Sequence, residues 1–333
     1  MHMENSKRNK VALVTGCSGQ DGSYLADILL AKGYNVHGLI RRTSKPNTQN
    51  IRHLLYDQEI FNKRFFLHDG DISDQGSLTR IIKEVQPDEV YNFAAMAGVG
   101  PSFTQPEYAL DTAGLGVLRL LEAIRTVKPD TKFFQAGSSH IFGDTPAVPQ
   151  TEVTIKQPIS PYGVAKSMGQ HLVHYYREAY GMYCCSAIFY AHASPRYSEG
   201  FLLSKIIHSL WRIQSGEQQN LELGNLDVEM DIGYAQEFME AVFNIMHQDK
   251  PEDFIICTGE THTSQEFLDA ALEVSGVSPD KVKIDESLKR QSEVSVLVGD
   301  YSKANKAFGY KPNIKFKDLV SLMYDSRFKA GRN

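Results

Sequence analysis

Six short apolar runs, separated by stretches of helical periodicity, fill the first 190 residues and leave few folds open. VALVTG (11–16), NVHGLIR (35–41), RFFLHDGD (64–71), EVYNFAA (89–95), KFFQAGSS (132–139) and YCCSAIFY (183–190) read as strands. Most are too continuously apolar to leave one face in water, as expected of a parallel sheet covered on both sides. Between them, LGVLRLLEAI (115–124) and the segment 162–180 repeat apolar residues at helical spacing. Strand, helix, strand, repeated in this way, predicts a doubly wound α/β sheet. Beyond Pro195 strict alternation is lost, although DFIICTG (253–259) reads as one more strand returning to the sheet.

The chain of 333 residues is 42% hydrophobic and 23% charged, enough to bury one large core or two fused lobes. Its net charge of −5, without a basic block, argues against a nucleic-acid partner. No apolar run approaches the ~18 residues of a membrane span and no signal peptide is read, so a cytoplasmic protein without membrane contact is expected. Cys17, Cys184, Cys185 and Cys257 lack zinc spacing and read as core thiols of a reducing compartment. No metal is expected.

TGCSGQDGSYL (15–25) sets Gly16, Gly19 and Gly22 between the first strand and the first helix. Glycines there let the backbone turn tightly and approach a pyrophosphate seated on the helix N-terminus, the mark of a Rossmann dinucleotide site. A structural turn is the plainer reading of such glycines, but their position at the first strand–helix junction favours the cofactor. At the end of the second strand an acid would hold the ribose 2′-hydroxyl of NAD, whereas arginine suits the 2′-phosphate of NADP. The chain has Ile40-Arg41-Arg42-Thr43 and no acid, which favours NADP over a merely solvated arginine pair. The expected organisation is a dinucleotide-binding domain from 9–190 plus 227–257, with a smaller C-terminal α/β substrate lobe from 191–226 plus 258–330.

Tyr162 and Lys166 in SPYGVAK (160–166) stand i, i+4 and share a helix face. A nearby ammonium stabilises a phenolate and is expected to lower the tyrosine pKa from ~10. Tyrosine could then take a proton from a sugar hydroxyl as hydride leaves for a nicotinamide. The pair is common on helices by chance; the glycine turn and a strand ending in Ser138 raise its weight. Ser138 would hydrogen-bond the reacting oxygen or simply finish the strand.

Together these elements resemble the extended short-chain dehydrogenase/reductases. GQDGSYL (19–25), the RRTSKPNTQ loop (41–49), PDEVYNFAA (87–95), SFTQPEY (102–108), LRLLEAIR (118–125), YREAYGMY (176–183) and EVSVLVGD (293–300) narrow the resemblance to the GDP-mannose 4,6-dehydratase family, from about residue 9 to 325. The resemblance implies bound NADP, hydride removal from sugar C4, loss of water across C5 and C6, and hydride return to C6. It carries cofactor contacts onto Gly16, Gly19, Gln20, Asp21, Arg41, Asp71, Tyr108, Lys166 and His192. Ser18, Gly22, Arg42, Ile72, Ala94, Ala95 and Tyr162 complete the expected set. The family's arginine-rich loop reaches a neighbouring subunit's cofactor, which implies a homo-oligomer, a tetramer or a dimer of the same unit.

The family's Ser-Thr-Ser-Glu is here Gly137-Ser138-Ser139-His140, so a histidine replaces the group that takes the C5 proton. His140, with an ordinary pKa of ~6.5, either inherits that proton transfer or packs at the strand end. Asn-His-Glu-Ser-Pro-Arg-Arg becomes Ala191-His192-Ala193-Ser194-Pro195-Arg196-Tyr197, and Arg-Asp-Trp-Gly becomes Met230-Asp231-Ile232-Gly233. The latter removes an arginine that contacts the nucleotide-sugar phosphates, whereas Lys205 and Arg290 keep family nucleotide positions. Three readings follow: an NADP-dependent GDP-sugar 4,6-dehydratase, a nucleotide-sugar C4 oxidoreductase or epimerase lacking the elimination, and a silent NADP-binding paralogue that assembles with an active dehydratase.

Overall fold

The computed structural model describes residues 8–45, 47–285, 287 and 296–330, with the side chains of 327–330 excepted. Seven strands form its main sheet: β1 (Val11–Thr15), β2 (Asn35–Ile40), β3 (Phe65–Asp69), β4 (Glu89–Asn92), β5 (Lys132–Ala136), β6 (Cys184–Phe189) and β10 (Phe254–Ile256). The intervening β7 (Ala191–Ala193), β8 (Leu221–Leu223) and β9 (Glu229–Tyr234) lie outside it. All neighbours in the order β10-β6-β5-β4-β1-β2-β3 are parallel. The winding direction reverses between β1 and β4, which opens a crevice at their carboxyl ends.

Helices cover both faces: α1 (Gln20–Ala31), α2 (Arg52–Tyr56), α3 (Gln75–Val85), α4 (Val99–Thr104), α5 (Pro106–Leu110), α6 (Gly116–Val127), α7 (Pro161–Tyr180), then α8 (Leu202–Gln214) and α9 (Ala235–Met246) further on. Adjacent strand residues point to opposite faces. Val14 and Phe134 meet Leu25 and Leu29 of α1 and Val242 of α9 on one face. Leu13 and Phe133 meet Ile82 of α3, Leu120 of α6 and Val173 of α7 on the other. With both faces buried there is no polar face to show, which is why these strands read as unbroken apolar runs.

All six expected strands form, and the run at 253–259 does return to the sheet beside β6. Several end earlier at the carboxyl side than their apolar runs: β1 at Thr15, β4 at Asn92 and β5 at Ala136. The residues beyond those points turn out of the ladder and line the crevice, so apolar character there serves a wall rather than a strand.

The C-terminal part is a smaller α/β layer. β9 pairs with β7 and β13 (Val296–Leu297) in parallel and with β11 (Thr261–Thr263) antiparallel, while β12 (Val282–Ile284) pairs with β8. Helix α10 (Ser264–Ser275) opens with a capping box, Thr263 accepting from Glu266 N and Glu266 from Thr263 N. It packs with α8 and α12 (Phe316–Ala330) around Ile206, Ile207, Leu210, Phe267, Leu319 and Met323, and α11 (Ser302–Phe308) leads back towards β10.

The buried Asp231 of β9 accepts from Thr258 N at 2.7 Å, Thr258 Oγ1 at 2.6 Å and Gly259 N at 2.8 Å. It therefore ties the smaller sheet to the loop that follows β10. Among the described residues no helix is long and apolar enough to cross a membrane.

Candidate active site

The crevice begins with the turn after β1. Gly16 has φ +66°, and a Cβ there would lie 3.0 Å from Ala94 N, so only glycine fits between the two strand ends. A Cβ on Gly22 would lie 2.7 Å from Cys17 Cα, which keeps helix α1 close against the strand. Gly19 is the N-cap of α1 and provides no side-chain cap, so the first-turn N–H groups suit an outside anion. This glycine cradle, on the switch point of a doubly wound sheet, fits a dinucleotide pyrophosphate.

Helix α7 delivers the second group of residues. Ser160 accepts from Gly163 N at 3.0 Å as its N-cap, and Pro161 stands at N1, which starts the helix one residue before Tyr162. Ser102 Oγ accepts from Tyr162 N at 3.2 Å and fixes that first turn. One turn on, Lys166 is 6% exposed and donates from Nζ to the Ala136 carbonyl at 2.8 Å. Its Nζ stands 5.7 Å from the centre of the Tyr162 ring. Ser138 caps the short 3₁₀ turn Ser139–Ile141, accepting from His140 N at 3.3 Å. The His140 ring meets the Tyr162 ring edge-to-face, with centroids 5.9 Å apart.

One cavity of about 1310 Å³ takes in both groups. Gly16, Gly19, Gln20, Asp21, Gly22, Ala94, Ala95, Ser138, His140, Tyr162, Lys166, His192 and Lys205 all line it. Ser18, Arg41, Arg42, Asp71, Ile72 and Tyr108 are not among its lining residues. Arg41 donates to Tyr108 Oη at 2.7 Å on the exposed rim, and Asp71 accepts from Ser73 N at 2.9 Å. Ile72 is buried, and a Cβ on Gly116 would meet it, so its side chain serves packing. Arg290 lies outside the described residues, as does part of the 293–300 stretch.

The expected lowering of the tyrosine pKa is not found. Burial pushes Tyr162 up to about 12; the Ser138 hydroxyl pulls it down and the Asp21 charge pushes it further up. Burial brings Lys166 down to about 8, against the opposing pull of Asp21. Desolvation thus outweighs the helical neighbour: the ammonium gives its hydrogen bond to a carbonyl and enters no short contact with the phenol.

Asp21, in the first turn of α1, faces His192 at 3.1 Å from each carboxylate oxygen. Burial raises the Asp21 pKa, but the charge and hydrogen bond of His192 prevail and the net shift is down. Gln20 links the same helix to β7, donating to the His192 carbonyl at 3.3 Å and accepting from Ser194 Oγ at 2.7 Å. Arg196, to which the sequence assigns no role of its own, donates to Asp27 at 2.7 Å and to Ser23 Oγ at 3.1 Å, and lies 4.1 Å over the Tyr24 ring. Asn50, which the sequence does not single out, donates to Ser18 O at 3.3 Å and to Arg196 O at 3.1 Å. Nothing local in sequence marks it, because its partners lie 32 and 146 positions away.

At the other end, Lys205 donates from Nζ to Glu222 O at 2.6 Å. Glu199, a cavity residue missed from sequence, meets His208 Nδ1 at 2.6 Å and Arg212 Nη1 at 3.1 Å. Met230 lines the wall at the position where the resemblance implies an arginine.

A doubly wound sheet with a glycine turn and a serine–tyrosine–lysine set in one crevice defines a protein of the short-chain dehydrogenase/reductase class. The family model for GDP-mannose 4,6 dehydratase matches residues 13–323. GDP-mannose 4,6 dehydratase 1 of Arabidopsis thaliana is 46% identical over 332 residues, covering 98% of this chain and 92% of the relative. The Vibrio cholerae GDP-mannose 4,6-dehydratase is 41% identical, with 97% and 95% covered. The chain belongs to the GDP-mannose 4,6-dehydratase family. Its fold is also that of DesIV, a dTDP-glucose 4,6-dehydratase from Streptomyces venezuelae solved with NAD and TYD, at a TM-score of 0.86, 21% identity and coverage of 97% and 98%. RMD from Pseudomonas aeruginosa, solved with NADPH, gives 0.78 at 23% identity, with 96% and 100% covered.

Proposed function

We propose that the protein is an NADP-dependent GDP-sugar 4,6-dehydratase. The convergence of the glycine turn with Ser138, His140, Tyr162 and Lys166 in one cavity carries this reading. A nicotinamide dinucleotide bound here would accept hydride from sugar C4 and return it to C6. Tyr162 takes the proton of the C4 hydroxyl and Ser138 hydrogen-bonds the same oxygen. Lys166, with Nζ 5.7 Å from the ring centre, is the cation that would favour the phenolate against the burial that opposes it. Once C4 is a ketone, the C5 hydrogen is acidified. His140 removes it and hands a proton to the departing C6 hydroxyl, which leaves as water. As C6 is reduced, C5 regains a proton through His140, resupplied with the one that Tyr162 took from the C4 hydroxyl, so one water is lost in all and the sequence is redox-neutral.

NADP over NAD is supported by Arg41 and Arg42 at the end of β2, where no acid stands to hold a ribose 2′-hydroxyl. Tyr108 props Arg41 on the rim. In this reading the dinucleotide domain is 9–190 with 227–257, and the nucleotide-sugar lobe is 191–226 with 258–330, holding Lys205 and Arg290 for the nucleotide. We further assign a homo-oligomer, a tetramer or its dimeric half, and a cytoplasmic site, in keeping with four free, buried thiols.

The histidine in place of the family's glutamate favours a second reading, in which the reaction stops at C4 as an oxidoreductase or epimerase. Product mass after incubation with GDP-mannose separates the two. Loss of water supports the dehydratase; an unchanged mass or a two-hydrogen change supports the alternative.

A further inference from the structure

Both ring nitrogens of His192 face groups that accept hydrogen bonds. Nδ1 lies 2.8 Å from the Tyr190 carbonyl oxygen, and Nε2 lies 3.1 Å from each oxygen of the Asp21 carboxylate. A neutral imidazole carries one N–H and can satisfy only one of these partners; an imidazolium satisfies both. Protonating Asp21 instead is opposed by Gln20 Nε2, which donates to Oδ1 at 3.1 Å, and by the positive charge of Lys166.

We propose that His192 is a standing imidazolium, and that the Asp21–His192 ion pair is a charge-compensating device for dinucleotide binding. Asp21 puts a negative charge in the first turn of α1, where the helix end and its N–H groups would receive a pyrophosphate. Left alone, that carboxylate would repel the ligand. Paired with His192 it is neutralised, and the helix end keeps its attraction for anions.

The surroundings agree. From α1, His192 faces Asp21 and the Gln20 amide; from α7, Lys166; from the end of β6, the Tyr190 carbonyl. The Phe189 and Phe238 rings enclose it at 5.2 and 4.9 Å between centroids. Burial and Lys166 lower its pKa, but the charge and hydrogen bond of Asp21 and the Tyr190 carbonyl prevail, and the net shift is up from 6.5. Asp21 shifts down, so both members favour the ion pair. Raising the pH through the raised His192 pKa discharges the ring and strands the carboxylate.

The binding role rests on the cavity being a dinucleotide site, whereas the charge state does not. Nitrogen-detected NMR of the full chain, titrated from neutral to alkaline pH, reads the ring directly. Expected are two protonated ring nitrogens at neutral pH and a midpoint above 6.5. A singly protonated ring at neutral pH overturns the proposal. Calorimetric titration of NADP against pH reads the second half. Affinity should fall several-fold across the pH range in which NMR shows His192 discharging. That fall should vanish in His192→Asn, while any limb from Lys166 remains. An affinity unchanged across the His192 titration overturns the compensating role. Failure to bind NADP or NAD at any pH overturns the dinucleotide reading itself. Neither wild-type titration depends on a variant that folds.

Discussion

Tyr162 holds its proton tightly in the protein alone, at a pKa near 12, because burial disfavours the phenolate more than its neighbours favour it. A phenol in that state can donate a hydrogen bond but gives up its proton reluctantly, and it needs positive charge beside it to act as a base. Removing only the hydroxyl with Tyr162→Phe should lower turnover by ~10²–10⁴ and leave folding and cofactor binding near normal, measured by product formation and calorimetry. Wild-type turnover in that variant would contradict the mechanism. The Asp21–His192 pair has its own stability signature. Its contribution fades as pH falls through the lowered Asp21 pKa and as pH rises through the raised His192 pKa. The difference in thermal midpoint between wild type and Asp21→Asn should therefore be largest near neutrality and shrink at both ends.

At the scale of elements, the turn before α1 is the least tolerant part of the fold. A methyl group on Gly22 would run into backbone atoms of Gly16 and Cys17, which cannot move without opening the strand–helix junction. Gly22→Ala should cost about 1–3 kcal/mol, as overpacking does, and weaken cofactor binding together with stability. Denaturant titration beside calorimetry checks both. This turn and the Tyr162–Lys166 helix are legible in sequence because each is a local pattern: glycines at a junction, and two residues one turn apart behind Ser160 and Pro161. The tyrosine pKa is not, because spacing reports who is near but not how deeply the pair is buried. Asn50 and the Glu199–His208–Arg212 cluster escape a sequence reading because the fold, not the local pattern, brings them to the cavity. On the rim, Arg41→Ala should weaken NADP more than NAD, which parallel titrations of both cofactors test.

Over the whole molecule, the cavity joins two layers: the glycine turn belongs to the parallel sheet, and Lys205, Glu199 and Met230 belong to segments beyond β7. A ligand that spans both must therefore be held by both, and the site is complete only when the smaller layer is seated on the sheet. Light scattering should report a tetramer, or a dimer of the same unit, at micromolar concentration; a monomer contradicts the assigned assembly. In the proposed reaction, elimination rests on His140, at the position where the resemblance implies a glutamate. The decisive experiment is mass analysis of the product formed from GDP-mannose by the wild-type enzyme with NADP. A product lighter by one water is expected, and it should disappear in His140→Ala while substrate still reduces the bound cofactor. A wild-type product of unchanged mass, or one changed by two hydrogens, would contradict elimination, and undiminished dehydration by His140→Ala would contradict the role given to the histidine.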